Sequence, residues 1–181
     1  MDVAIGLPIR TWAALDVALG FFRAAPKPLA DARLTRHCRK LHNLLRRAGI
    51  HGRYALIGTA STGKSLLRLH VDSEPPPRVP WVLRLPRGSV RTLTEACWTV
   101  LRTHHDPQLA SLLDYEAEEL QAARAFLSEV RRQWPEIGHT SGKPGGALPL
   151  AWDEQHDEYV FTSPVAERIQ RHYLRVGAGV N

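Results

Sequence analysis

The stretch from Arg53 to Pro86 constrains this chain more than any other, because two readings of it lead to different folds. At its centre, Gly58-Thr-Ala-Ser-Thr-Gly-Lys64-Ser65 satisfies the phosphate-binding pattern G-x-x-x-x-G-K-[ST] letter for letter. A phosphate cradle of that kind needs a helix to start at Lys64-Ser65, so that its positive end faces the anion. The residues after Ser65 have a different period. In Leu66-Leu-Arg-Leu-His-Val71, Leu67, Leu69 and Val71 alternate with Arg68 and His70, as in a half-buried strand. Pro75-Pro-Pro77 then leaves room for only a short helix, and the next strand, Trp81-Val-Leu-Arg-Leu85, ends in Pro86-Arg87-Gly88 without a carboxylate to hold magnesium. The stretch therefore reads as a hairpin that turns at Ser61-Thr62-Gly63-Lys64, with Gly63 supplying a positive φ. The alternative is a nucleotide-binding enzyme that holds ATP or GTP with Mg2+ through Gly58, Gly63, Lys64 and Ser65. The leading reading requires no cofactor.

Around this ribbon the sequence predicts an α+β fold. A small antiparallel sheet of three strands, 53–60, 65–72 and 81–86, is flanked by helices and followed by a mostly helical half with a late hairpin. Trp12, Leu15, Leu19 and Phe22 recur at helical spacing, so a first helix is expected over Ile9 to Ala25. A second is expected from about Leu29 to Ala48, closed by Gly49. Thr92-Leu-Thr-Glu95 has the form of a capping box for a third. Leu109, Leu113, Ala117, Leu120, Ala123, Leu127, Val130 and Trp134 predict one long helix over 107–134, with Asp114 on its surface. A Gly-rich stretch from Pro135 to Pro149 separates it from strands 148–152 and 158–162, whose turn is acidic. Ser163-Pro164 opens a last helix that carries Arg168, Arg171, His172 and Arg175, a layout like the wing and final helix of a winged-helix module. The expected division is a basic α+β region, 1–104, and a helical region, 105–181, within one compact domain.

Charge carries the functional expectation. The formal net charge is +6, but residues 1–50 hold 9 basic and 3 acidic side chains and residues 51–100 hold 7 and 3, whereas the second half is acidic on balance. Such a division gives the protein a directed field that would draw an anionic polymer to one side. On the second helix Leu34, Cys38, Leu41 and Leu45 form a narrow apolar stripe. Arg36, Arg39, Lys40, Asn43, Arg46 and Arg47 fall on the opposite side. If Leu67, Leu69, Leu83 and Leu85 face the core, Arg68, His70 and Arg84 share the outer face of the sheet. The expectation is a non-enzymatic, cytoplasmic accessory or regulatory protein that binds DNA or RNA through Arg36, Arg39, Lys40, Arg46, Arg47, Arg68 and Arg84. A protein partner or a second copy would meet residues 107–134. An interaction or inhibitor subunit whose basic face meets an acidic protein is a further alternative.

Other chemistry is weaker in the sequence. His37, Cys38 and His42 lie close on one helix but lack the further ligands a zinc site needs. His104-His105-Asp106 reads as a helix end followed by a cap, and the acidic turn 153–157 as a polar loop. No triad or paired-carboxylate spacing is legible, so no catalytic residue is assigned. Cys38 and Cys97 fall on apolar helix faces and read as reduced core residues. No apolar run reaches membrane-spanning length, and the acid at Asp2 does not suit a secretory leader, so neither a membrane span nor export is expected.

Overall fold

The computed structural model describes residues 2–24, 32–72, 79–105, 115–135, 150–153 and 158–161. The fold is α+β. Its first strand, β1 (Asp2–Pro8), runs into α1 (Ile9–Ala18), a short α2 (Gly20–Ala24) and the basic helix α3 (Ala32–Arg47). A hairpin of β2 (His51–Thr59) and β3 (Ser65–Asp72) comes next, then β4 (Pro80–Pro86), α4 (Arg87–His105) and α5 (Ala117–Gln133). Strands β5 (Leu150–Asp153) and β6 (Glu158–Phe161) pair antiparallel as the expected late hairpin. The expected linker within 136–149, Asp114, the acidic turn at 154–157, and the last helix with Arg168, Arg171, His172 and Arg175 lie outside the described residues.

The expected three-stranded sheet is two separate two-stranded sheets. β2 pairs with β3, but β4 pairs with the N-terminal strand β1, in the register Val3↔Leu85, Ile5↔Leu83 and Leu7↔Trp81. The cause is burial. Ile5 and Leu7 of β1 and Leu83 and Leu85 of β4 bury one common face, while Ala4, Val82 and Arg84 stay outside. Prolines at Pro8, Pro80 and Pro86 are tolerated because both strands are edges.

Helix α1 is the centre of the molecule. Trp12, Ala13, Ala14, Leu15 and Ala18 are all buried, and the Trp12 ring meets Trp81 and Phe126 edge-on at centroid distances of 6.5 and 6.2 Å. Its indole N–H donates to the Trp81 carbonyl at 2.9 Å, which satisfies the one polar atom of this side chain. The expected continuous helix over Ile9–Ala25 breaks at Leu19. Arg23 folds back there, and its Nη1 donates to the Asp16 carbonyl and carboxylate, so α2 bends against the end of α1.

Two further boundaries differ from expectation. α4 begins at Arg87, directly from β4, so Thr92 is interior and its hydroxyl donates to the Gly88 carbonyl at 3.0 Å; the letters of a capping box occur here inside a helix. The long helix expected over 107–134 is not continuous either. Glu116 precedes α5 as its cap, and its backbone N–H donates to the Glu119 carboxylate at 2.8 Å. Leu120, Ala123, Phe126 and Val130 of α5 bury themselves on α1, α4 and β1. One core therefore joins α5 to the N-terminal half.

Candidate nucleic-acid interface

α3 owes its orientation to contacts along its inner side. Leu34, Cys38, Leu41 and Leu45 are buried, and the chain leaves the helix through a Schellman turn. Gly49, at φ +76°, donates to the Arg46 carbonyl and Ile50 to the Leu45 carbonyl, at 3.0 and 2.9 Å. Polar contacts fix its rotation. His42 Nδ1 lies 2.7 Å from Asp16 Oδ2, His37 Nδ1 lies 2.9 Å from Ser89 Oγ, Thr35 donates to the Phe22 carbonyl at 2.9 Å, and Arg33 pairs with Glu95. These bonds hold the helix to α1, α4 and α2 at successive turns.

The opposite face is left to solvent. Arg36, Arg39, Lys40, Asn43, Arg46 and Arg47 are all exposed, and Leu44 is 39% exposed between them. Among the described residues none of Arg36, Lys40, Arg46 or Arg47 is joined to a carboxylate. Arg39 donates to the Arg23 carbonyl at 3.3 Å. Among the described residues, the carboxylates beside α3 have other partners: Asp16 is held by Arg23 and His42, and Glu95 by Arg33.

A groove of about 330 Å³ lies between this face and the β4–α4 junction, with Lys40, Asn43, Leu44 and Arg47 on one wall and Pro86 and Ser89 on the other. The first turn of α4 holds no acidic residue; the guanidinium of its first residue, Arg87, lies over the Trp134 ring beyond α5, 4.8 Å from the centroid, and does not line the groove. The field is felt by His37, whose pKa is lowered by burial first and then by the nearby charges of Lys40, Arg36 and Arg33.

The expected sheet contribution is rearranged. Arg68 and His70 share the outer face of β2–β3, but with Arg53 in place of Arg84. Arg84 lies on the other sheet, opposite Ala4, so the three residues do not share one face. Sequence reasoning misses Arg53, for which the alternation through Arg53, Ala55, Arg68 and His70 contains the signal.

The phosphate-binding motif is a hairpin turn. Strand β2 runs through Gly58, the Ala60 N–H donates to the Lys64 carbonyl at 2.8 Å, Gly63 has φ +82°, and Ser65 starts a strand. A strand, not a helix, starts at Ser65, so the nucleotide-binding alternative at Gly58, Gly63, Lys64 and Ser65 lacks the helix N-terminus such a cradle needs there. His37 and His42 are turned to different partners, and burial pushes the Cys38 thiol up to about 12, so these three do not converge. No described helix is long and apolar enough to cross a membrane. Comparison of the chain with protein-family models, curated proteins and solved structures returned no match to any of them.

Proposed function

We propose that this protein is a nucleic-acid-binding accessory or regulatory factor that holds a sugar-phosphate backbone on the outer face of α3. One observation carries the reading: five cations, Arg36, Arg39, Lys40, Arg46 and Arg47, occupy one exposed helix face while, among the described residues, the neighbouring carboxylates Asp16 and Glu95 have other partners. Arginine forks suit phosphate oxygens, and α3 is held on its other side so that little ordering is needed on binding. The groove beside Lys40 and Arg47 adds the N-terminal turn of α4, a further place for a phosphate. Arg68 and Arg84 extend the positive surface on separate sheets.

Partners in this reading are DNA or RNA in the cytoplasm, and no reaction is assigned. A protein partner or second copy at 107–134 would meet the polar side of α5, since Leu120, Phe126 and Val130 are buried in the chain's own core. Titration of the purified protein with short DNA and RNA, single- and double-stranded, at two salt concentrations tests the reading. Binding that weakens steeply with salt is expected; absence of binding to all four at low salt would end it.

A further inference from the structure

The groove of about 330 Å³ between α3 and the β4–α4 junction is built in two layers. Its floor is apolar: Leu41, Leu85 and Leu93 line it, and all three are buried. Above them Leu44, 39% exposed on α3, faces the exposed Pro86. Lys40 and Arg47 stand along the α3 rim, and among the described residues no carboxylate lines the groove. The two cations are about 10 Å apart along the helix axis. Groups for neutral hydrogen bonding are also present. They are the Asn43 amide and the pair formed by Ser89 Oγ and His37 Nδ1, 2.9 Å apart. Burial first, and then the charges of Lys40, Arg36 and Arg33, favour the neutral His37 ring, so ring and hydroxyl can each donate or accept.

We propose that this groove takes one unpaired nucleotide of the bound nucleic acid, with its base on the apolar floor between Leu44 and Pro86 and the phosphates on either side of it at Lys40 and Arg47. The inference rests on the α3 reading and adds a selectivity to it. The outer face of α3 holds any sugar-phosphate backbone; the groove favours one in which a base is out of the stack. Phosphates have no apolar surface, so a backbone lying along α3 leaves the floor wet. A base brings an apolar face to cover that floor, and polar edges for Asn43, Ser89 and His37. A fully paired duplex keeps its bases stacked and cannot supply one without paying for unstacking. Charge and shape together choose the occupant, because cations and apolar side chains line the same groove. An apolar partner helix would bury the rim without neutralising Lys40 and Arg47, and a lone inorganic phosphate would leave the floor uncovered. The volume lies at the lower end of the range of about 300–1,000 Å³ for small-ligand sites, so it admits one nucleoside and not a stack of them.

The test uses the full chain and three short end-labelled DNA duplexes: one fully paired, one with a single bulged adenosine, and one with an abasic residue in place of that adenosine. The last two carry the same number of phosphates and differ only in the base. Fluorescence anisotropy should show the bulged base bound about tenfold more tightly than the abasic duplex, with the same salt slope. Leu44→Ser should cut that preference to about threefold or less and leave the affinity for the fully paired duplex at the wild-type value. Leu44 is exposed, and circular dichroism checks that the variant folds. Equal wild-type affinity for bulged and abasic DNA, or a preference undiminished in Leu44→Ser, would overturn the groove and leave the outer face of α3 as the whole interface. So would polyglutamate that binds more tightly than the bulged DNA and loses that advantage in Leu44→Ser, which would assign the groove to an acidic protein. Absence of binding to all three duplexes at low salt would instead remove the α3 reading for duplex DNA, and the groove with it.

Discussion

Asp16 is the residue whose loss should most disturb the platform under the cationic helix. Its carboxylate is 9% exposed and takes two partners, Arg23 Nη1 at 2.6 Å and His42 Nδ1 at 2.7 Å, so one side chain ties α1 to both α2 and α3. Removing one member of a buried charged pair costs about 3–5 kcal/mol, because the remaining charge is stranded. Here Arg23 and His42 are 20% and 29% exposed and can partly recover water, which lowers the expected cost of Asp16→Ala to about 2–4 kcal/mol. For a chain of this size that corresponds to a fall in Tm of roughly 5–15 °C. Urea unfolding followed by the fluorescence of Trp12 and Trp81 gives the same quantity at constant temperature. A control separates ion pairing from packing: replacing all three members together, Asp16→Leu/Arg23→Met/His42→Leu, should cost much less than Asp16→Ala. Asp16→Ala within about 0.5 kcal/mol of wild type would refute the claim that this network holds α3 in place.

Local geometry gives two other expectations. A Cβ added at Gly52 would come within 3.1 Å of the Ala13 Cβ and carbonyl oxygen and 3.2 Å of Leu69, so Gly52→Ala should lower stability by about 1–2 kcal/mol; a Tm at or above wild type would contradict the packing of the ribbon root on α1. His37 favours its neutral form in the folded state, so between its lowered pKa and the usual 6.5 the unfolded chain binds more protons, and stability should fall as pH drops through that window and level off below it. His37→Gln should flatten that slope. Bound polyanion should also offset Lys40, Arg36 and Arg33 and raise the His37 pKa, which a titration of its ring resonances would read.

What is legible in the sequence is local. The register of Leu34, Cys38, Leu41 and Leu45 and the stop at Gly49 are sufficient to place α3 and its cationic face. The alternation after Ser65 likewise separates a hairpin from a phosphate cradle. The misses are long-range. The apolar face of β4 could join either of two strands, and β1 wins because its Ile5 and Leu7 complete that face. The break at Leu19 depends on Arg23 reaching back to Asp16, seven residues away, which helical periodicity alone does not encode. Arg84 is misplaced by sequence reasoning for the same reason: its side is legible, but the sheet it belongs to is not.

The salt dependence of binding, compared between two sets of charge reversals, bears most directly on the cationic face of α3. Five phosphate contacts imply a slope near about −4.5 in log K against log salt, or about 500-fold weaker binding from 50 to 200 mM. Arg36→Glu/Arg39→Glu/Arg47→Glu should abolish binding or leave a slope of about −2, while Arg131→Glu/Arg132→Glu on α5 should leave the wild-type slope. Equal losses from both sets, or wild-type binding that ignores salt, would contradict the account.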